Sequence, residues 1–198
     1  MDGKNSRWPR WACHTGRSLT GLSLAAGLWT ACARSFSASL LLASTSVLTL
    51  DAGQHDLTLA VGPAHAAALR QIAQGQPGSL PGDPASYRSA LLVLDDVALT
   101  AAGAKGGYFY KIYLASAADA RPAAQQLAGT LGPFEVAAAR QRGTASLRYA
   151  LGDSLRTWST FSGAGLVVSF RRAGGAGADG PLIRIGSVRL ELSTDASN

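Results

Sequence analysis

With 198 residues the chain has room for one domain and an extension. Hydrophobic residues make up 47% of it, enough for a packed core, although alanine and glycine inflate the figure and bury little area each. The formal net charge is +6, yet the arginines are scattered. Only Arg140 and Arg142, and the pair Arg171-Arg172, sit close together. A nucleic-acid surface needs Lys and Arg gathered on one face and interleaved with stacking aromatics, so no nucleic-acid partner is expected.

Cys13 and Cys32 both fall in the N-terminal extension, which excludes a disulfide framework and a cysteine-bound metal for the folded part that follows. The histidines His14, His55 and His65 are also early in the chain, and no two stand four residues apart as they would to share a metal on one helix.

Residues 1–17 carry Lys4, Arg7, Arg10 and Arg17 against a single acid, Asp2. An apolar stretch from Leu19 to Ala33 follows and ends on the small-residue exit Ala31-Cys32-Ala33. Residues 1–33 are therefore read as an export signal, with a membrane-associated segment or a disordered start as alternatives. Export would follow from the first reading and a cytoplasmic location from its absence. A second apolar run, Ala38 to Leu50, is too short to cross a bilayer, as is the first, so no firm membrane span is expected. The region 34–88 reads as a low-order extension. It contains a short helix over 64–74, with Leu69, Ile72 and Ala73 on one face, and a Pro/Gly linker from Gly75 to Pro84.

From residue 89 to 194 the pattern turns to β. Strands are predicted at Ala90–Leu99, Tyr108–Leu114, Gln126–Thr130 continuing to Phe134–Ala138, Ala145–Tyr149, Leu166–Arg171 and Leu182–Leu192. Glycine-rich turns separate them, and Gly186 marks a bulge or break in the last. Gly152 to Trp158 reads as a short helical turn capped by Asp153 or Ser154. Six or seven short strands at this spacing imply a mainly β chain: one antiparallel β-sandwich or jelly-roll-like barrel, with a mostly irregular or helical N-terminal extension. Alternation along Tyr108–Leu114 puts Tyr108, Tyr110, Ile112 and Leu114 toward the core and Phe109, Lys111 and Tyr113 on the other face. In the last strand Ile183, Ile185, Val188, Leu190 and Leu192 take the core face. Each large apolar side chain buried in this way contributes about 1.5–3 kcal/mol.

Four segments in order carry a resemblance: Tyr110-Lys111-Ile112-Tyr113-Leu114, Leu127-Ala128-Gly129-Thr130-Leu131 to Phe134, Leu166 to Arg172, and Ile183 to Leu192 around Ile185-Gly186-Ser187-Val188. Together they resemble the C-terminal β-domain of the tyrosinase and polyphenol oxidase family, over residues 90–194. In that family a separate helical domain holds two copper ions on six histidines and oxidises phenols, while the β-domain covers the copper site. The six histidines are missing here, so the resemblance implies no catalytic residue, metal ligand or cofactor in this chain. Copper would belong to a partner, a dicopper phenol oxidase domain met in trans. The implied function is steric shielding of that copper site. The family's plug side chain has its candidates in Phe134 and Glu135 at the Gly-Pro turn, and Tyr108, Tyr110 and Tyr113 are candidate interface residues. The alternatives are a secreted β-sandwich binding module using the tyrosine-rich strand, and a truncated remnant of a tyrosinase-like oxidoreductase.

No other constellation carries chemistry. No histidine follows His65, which excludes a Ser-His-Asp arrangement inside the β region. Asp95 and Asp96 are neighbours on a strand and face opposite ways, so they do not form a carboxylate dyad. The glycine run from Gly174 to Gly180 lacks the Lys-Ser/Thr end of a phosphate loop and joins two strands.

Overall fold

The computed structural model describes residues 39–45, 47–118, 124–156, 165–175 and 179–196. The expected export signal, with Cys13, Cys32 and His14, lies outside these residues.

Strands come first: β1 (Ser39–Thr45), β2 (Leu48–Leu50) and β3 (Gln54–Leu59). Helix α1 (Pro63–Ala73) starts with proline at its first turn, where a missing N–H costs nothing, and buries Ala66, Leu69 and Ile72 at helical spacing. A hairpin of β4 (Gly78–Leu80) and β5 (Asp83–Tyr87) follows, then β6 (Ser89–Asp95) and β7 (Ala98–Leu99). Next come β8 (Phe109–Ser116), β9 (Gln126–Leu131), α2 (Pro133–Gln141), β10 (Leu147–Ala150) and α3 (Gly152–Arg156). The chain closes with β11 (Leu166–Ala173), β12 (Ile183–Ile185) and β13 (Ser187–Ser193).

The protein is an antiparallel β-sandwich. One sheet has the order β1-β13-β6-β10 and the other β3-β11-β8-β9. The pairing is nested: β8 pairs with β9, β6 with β10, β3 with β11 and β1 with β13. Eight strands paired from the inside of the sequence outward, and distributed over two sheets in this way, are a double-sheet jelly roll. Leu92, Leu94, Val188, Leu190 and Leu192 from the first sheet and Tyr110, Ile112, Leu114, Val168 and Phe170 from the second fill one apolar core. The core faces expected for β8 and for the last strand are the ones observed.

A small third sheet, β2-β12-β7, continues the first sheet around a corner. Three strand pairs bend together there: β1 into β2, β6 into β7, and β13 back into β12 at Gly186, where the sequence placed a break.

Four sequence expectations are corrected. Residues 34–88 are not merely a low-order extension, because β1 and β3 are integral strands of the two main sheets. The stretch from Gly75 to Pro84 is no linker: it holds β4, enters β5, and turns through Gly82 at a φ of 79°. The Tyr87 hydroxyl braces that hairpin by donating to the Asp83 carboxylate at 2.6 Å. Phe134–Ala138 is helix, not strand. Pro133 has no N–H for a ladder but suits the first turn of a helix, the alanines that follow favour helix, and Val136 and Ala139 are buried three residues apart. Finally, Asp153 and Ser154 lie inside α3 rather than capping it, and the Ser154 hydroxyl donates to the Leu127 carbonyl at 3.0 Å.

Candidate functional site

The five residues singled out from the sequence separate into two groups. Tyr108 and Tyr110 lie inside the sandwich, with ring centres 5.9 Å apart and planes at 77°, an edge-to-face pair. The Tyr108 hydroxyl donates to the Gly103 carbonyl at 3.1 Å, and that of Tyr110 to the Asp51 carbonyl at 2.5 Å. The Arg172 guanidinium stands 5.9 Å from the Tyr108 ring. Burial raises both phenol pKa values, that of Tyr110 to about 12; for Tyr108 the positive charge of Arg172 partly opposes the rise. These two tyrosines are core, and the interface role expected of them is not available to their rings.

Tyr113, Phe134 and Glu135 lie nearer solvent. Tyr113 is on the outer face of β8, half-buried, under the Arg171 guanidinium at 5.3 Å. Phe134 is 80% exposed in the first turn of α2, a large apolar side chain left to water. Glu135 is half-buried and folds its carboxylate back toward the helix start: a Cβ on Gly132 would lie 3.1 Å from its Oε2. The same hypothetical Cβ would meet the Phe109 Cβ at 3.3 Å, so the start of α2 abuts the start of β8. Phe109, itself 38% exposed, shares this end of the molecule.

Exposed apolar side chains also mark both flanks. Strand β1 borders the first sheet and β9 the second, on opposite sides of the sandwich. Leu41 on β1 and Leu127 on β9 are each 51% exposed, and Val47, where the chain leaves β1, is 65% exposed. On β9 two backbone carbonyls already have side-chain donors, that of Leu127 from Ser154 and that of Thr130 from the Tyr149 hydroxyl at 2.9 Å, so it is the apolar side chain that marks this flank.

On the outer face of the first sheet sequence reasoning missed a polar network. Arg189 bonds to both Asp95 and Glu191, while the Ser146 hydroxyl donates to Asp95 at 2.7 Å and that of Ser187 at 3.3 Å. Desolvation is the largest single influence on Asp95 and pushes its pKa up, but the bonds from Arg189, Ser146 and Ser187 together outweigh it and hold the carboxyl below its ordinary value. Asp96, its neighbour, takes no part and sits at the corner with a φ of 50°. Among the described residues no three of His, Cys, Asp and Glu converge where they could hold a metal ion.

No protein-family model and no curated protein matches the chain. Among solved structures it is similar to a chain from the empty head of turnip yellow mosaic virus, at 12% identity and a TM-score of 0.31 over 90% of this chain and 89% of that one. It is also similar to a chain of desmodium yellow mottle tymovirus, at 11% identity and a TM-score of 0.30 over 80% of this chain and 86% of that one.

Proposed function

We propose that this chain is a structural jelly-roll subunit that assembles with copies of itself. The observation that carries the reading is the pair of exposed leucines, Leu41 and Leu127, on opposite flanks of a sandwich whose interior is filled. Jelly rolls serve as viral shell domains, as lectins and as cupins. A cupin uses the space between its sheets, and here that space is occupied by Leu92, Tyr110, Phe170 and their neighbours. Two different apolar flanks on one molecule favour head-to-tail contacts, which close into rings or shells when the rotation permits. Fold alone does not assign function, and it is the exposed flanks that support this reading.

Sedimentation velocity of the full chain over a concentration series, with electron microscopy of the heavy fraction, tests it. Closed or ring-like oligomers are expected. A chain that stays monomeric to about 100 μM would overturn the proposal.

Phe134 favours a second reading, the steric cover for a dicopper phenol oxidase in trans, because an apolar side chain 80% exposed at a helix start has the form of a plug. Its test is a fall in catechol oxidation when the chain is added to such an oxidase, with the fall lost in Phe134→Ala.

A further inference from the structure

We infer that a cleft between the end of α1 and the start of α3 binds a small phosphate monoester. This site does not depend on the assembly reading. The cleft has a volume of about 350 Å³ and is walled by four distant parts of the chain: the end of α1 with the turn after it, Arg88 ahead of β6, α3, and Ala196 near the C-terminus. That volume is at the small end of the range for organic ligands.

Two arginines, Arg88 and Arg156, are among its lining residues. Arg88 is exposed and forms no ion pair with a described residue. Its backbone is fixed nonetheless, since its N–H donates to the Ser193 carbonyl at 2.8 Å. Among the described residues Arg156 is held by Asp153 at 3.5 Å, with the two side chains 64% and 99% exposed. An ion pair so open to water contributes little and exchanges readily for a better anion. The planar fork of arginine matches phosphate oxygens two at a time, and two such forks suit the near-double charge of a phosphate monoester at neutral pH. The lining also includes Ile72, Pro77 and Ala196, apolar residues suited to the organic part of the ester. The acids of the neighbourhood are Asp153, already set against Arg156, and Asp195, whose backbone is tied to Ser89 and Ser193.

The test titrates the full chain with phenyl phosphate and, separately, inorganic phosphate, following backbone amide shifts. Saturable shifts confined to residues 75, 76, 88, 152–156 and 196 are expected, at about millimolar affinity for phenyl phosphate and several-fold weaker for inorganic phosphate, which lacks the apolar group. Arg88→Ala and Arg156→Ala should each weaken binding by about tenfold. Arg184→Ala, an exposed arginine on β12, should leave it unchanged. Because Arg88 and Arg156 are both exposed, the variants should keep the parent melting temperature, which shows that folding is intact. Equal affinity for the two anions, or shifts spread over all arginines and unaltered in the variants, would overturn the assignment.

Discussion

Gly186 lies face to face with Asp96: a Cβ built on the glycine would stand 2.6 Å from the Cβ of the aspartate. Both residues mark the corner where the first sheet turns into the third. The Gly186 N–H donates to the Asp95 carbonyl at 2.9 Å, which locks the two bends together. The three atoms nearest that hypothetical Cβ all belong to the Asp96 side chain. Gly186→Ala should therefore destabilise the chain by about 1–3 kcal/mol through overpacking. Asp96→Gly removes the obstacle and suits the left-handed φ, so in the double variant most of the loss should return. Urea unfolding of the four chains decides it; equal losses in the single and double variants would show that the corner is not set by this contact.

Much of that corner was legible in advance. Gly186 interrupts an alternating strand, and only a break or bulge reconciles Ile183 and Ile185 with Val188 and Leu190 on one face. The faces of β8 were legible for the same reason, since period-two alternation of large side chains leaves one solution. Strands β1 and β3 were not, because their place in the sheets depends on partners more than a hundred residues away, β13 and β11. Helix α2 was misread because Phe134 and Val136 alternate as a strand would, and the proline signal at its first turn was outweighed. The arginine cleft had no signal at all: Arg88 and Arg156 meet only through the fold.

A second prediction concerns alkaline pH. The Asp83 bond raises the Tyr87 phenol pKa to about 12, and burial does the same for Tyr110. In the unfolded chain both ionise near 10. The folded state thus keeps these protons to higher pH than the unfolded state. Their contribution is whole below about pH 10 and is lost as pH rises from about 10 toward about 12. Denaturant midpoints should fall across that window, and Tyr110→Phe should flatten the fall. A variant whose alkaline slope equals that of the parent would show that Tyr110 is not responsible.

A third prediction concerns the network on the outer face of the first sheet. Glu191 is 3% exposed, and its Oε2 has no partner among the described residues, so Arg189 alone compensates it. Arg189→Met leaves that buried carboxylate unpaired and should cost about 3–5 kcal/mol near neutral pH. The Asp95 carboxyl, held below its ordinary pKa in the folded chain, contributes stability above its unfolded value, and this is lost as pH falls through the folded value. The parent should therefore lose stability on acidification below about pH 4, and the difference from Arg189→Met should narrow there. A gap between the two chains that stays constant from neutral to acid pH would contradict the ionic account of the network.

The last prediction separates assembly from folding. Leu127 is half exposed on the bordering strand β9, and Phe134 is more exposed still, so neither contributes much to the core of the isolated subunit. Substitutions at such positions usually change stability by less than about 0.5 kcal/mol. Leu127→Lys places a charge on the flank and a lysine on an edge strand, which opposes pairing with another chain. It should abolish the oligomers seen by sedimentation while leaving the melting temperature of the monomer unchanged. Leu41→Lys should do the same from the opposite flank, and an equimolar mixture of the two variants should form dimers and stop, since each retains one intact flank. Dimers in the mixture and monomers in each variant alone would establish a head-to-tail contact between the β1 and β9 sides. Oligomers that persist in both single variants would place the contact elsewhere on the surface and sink the flank model.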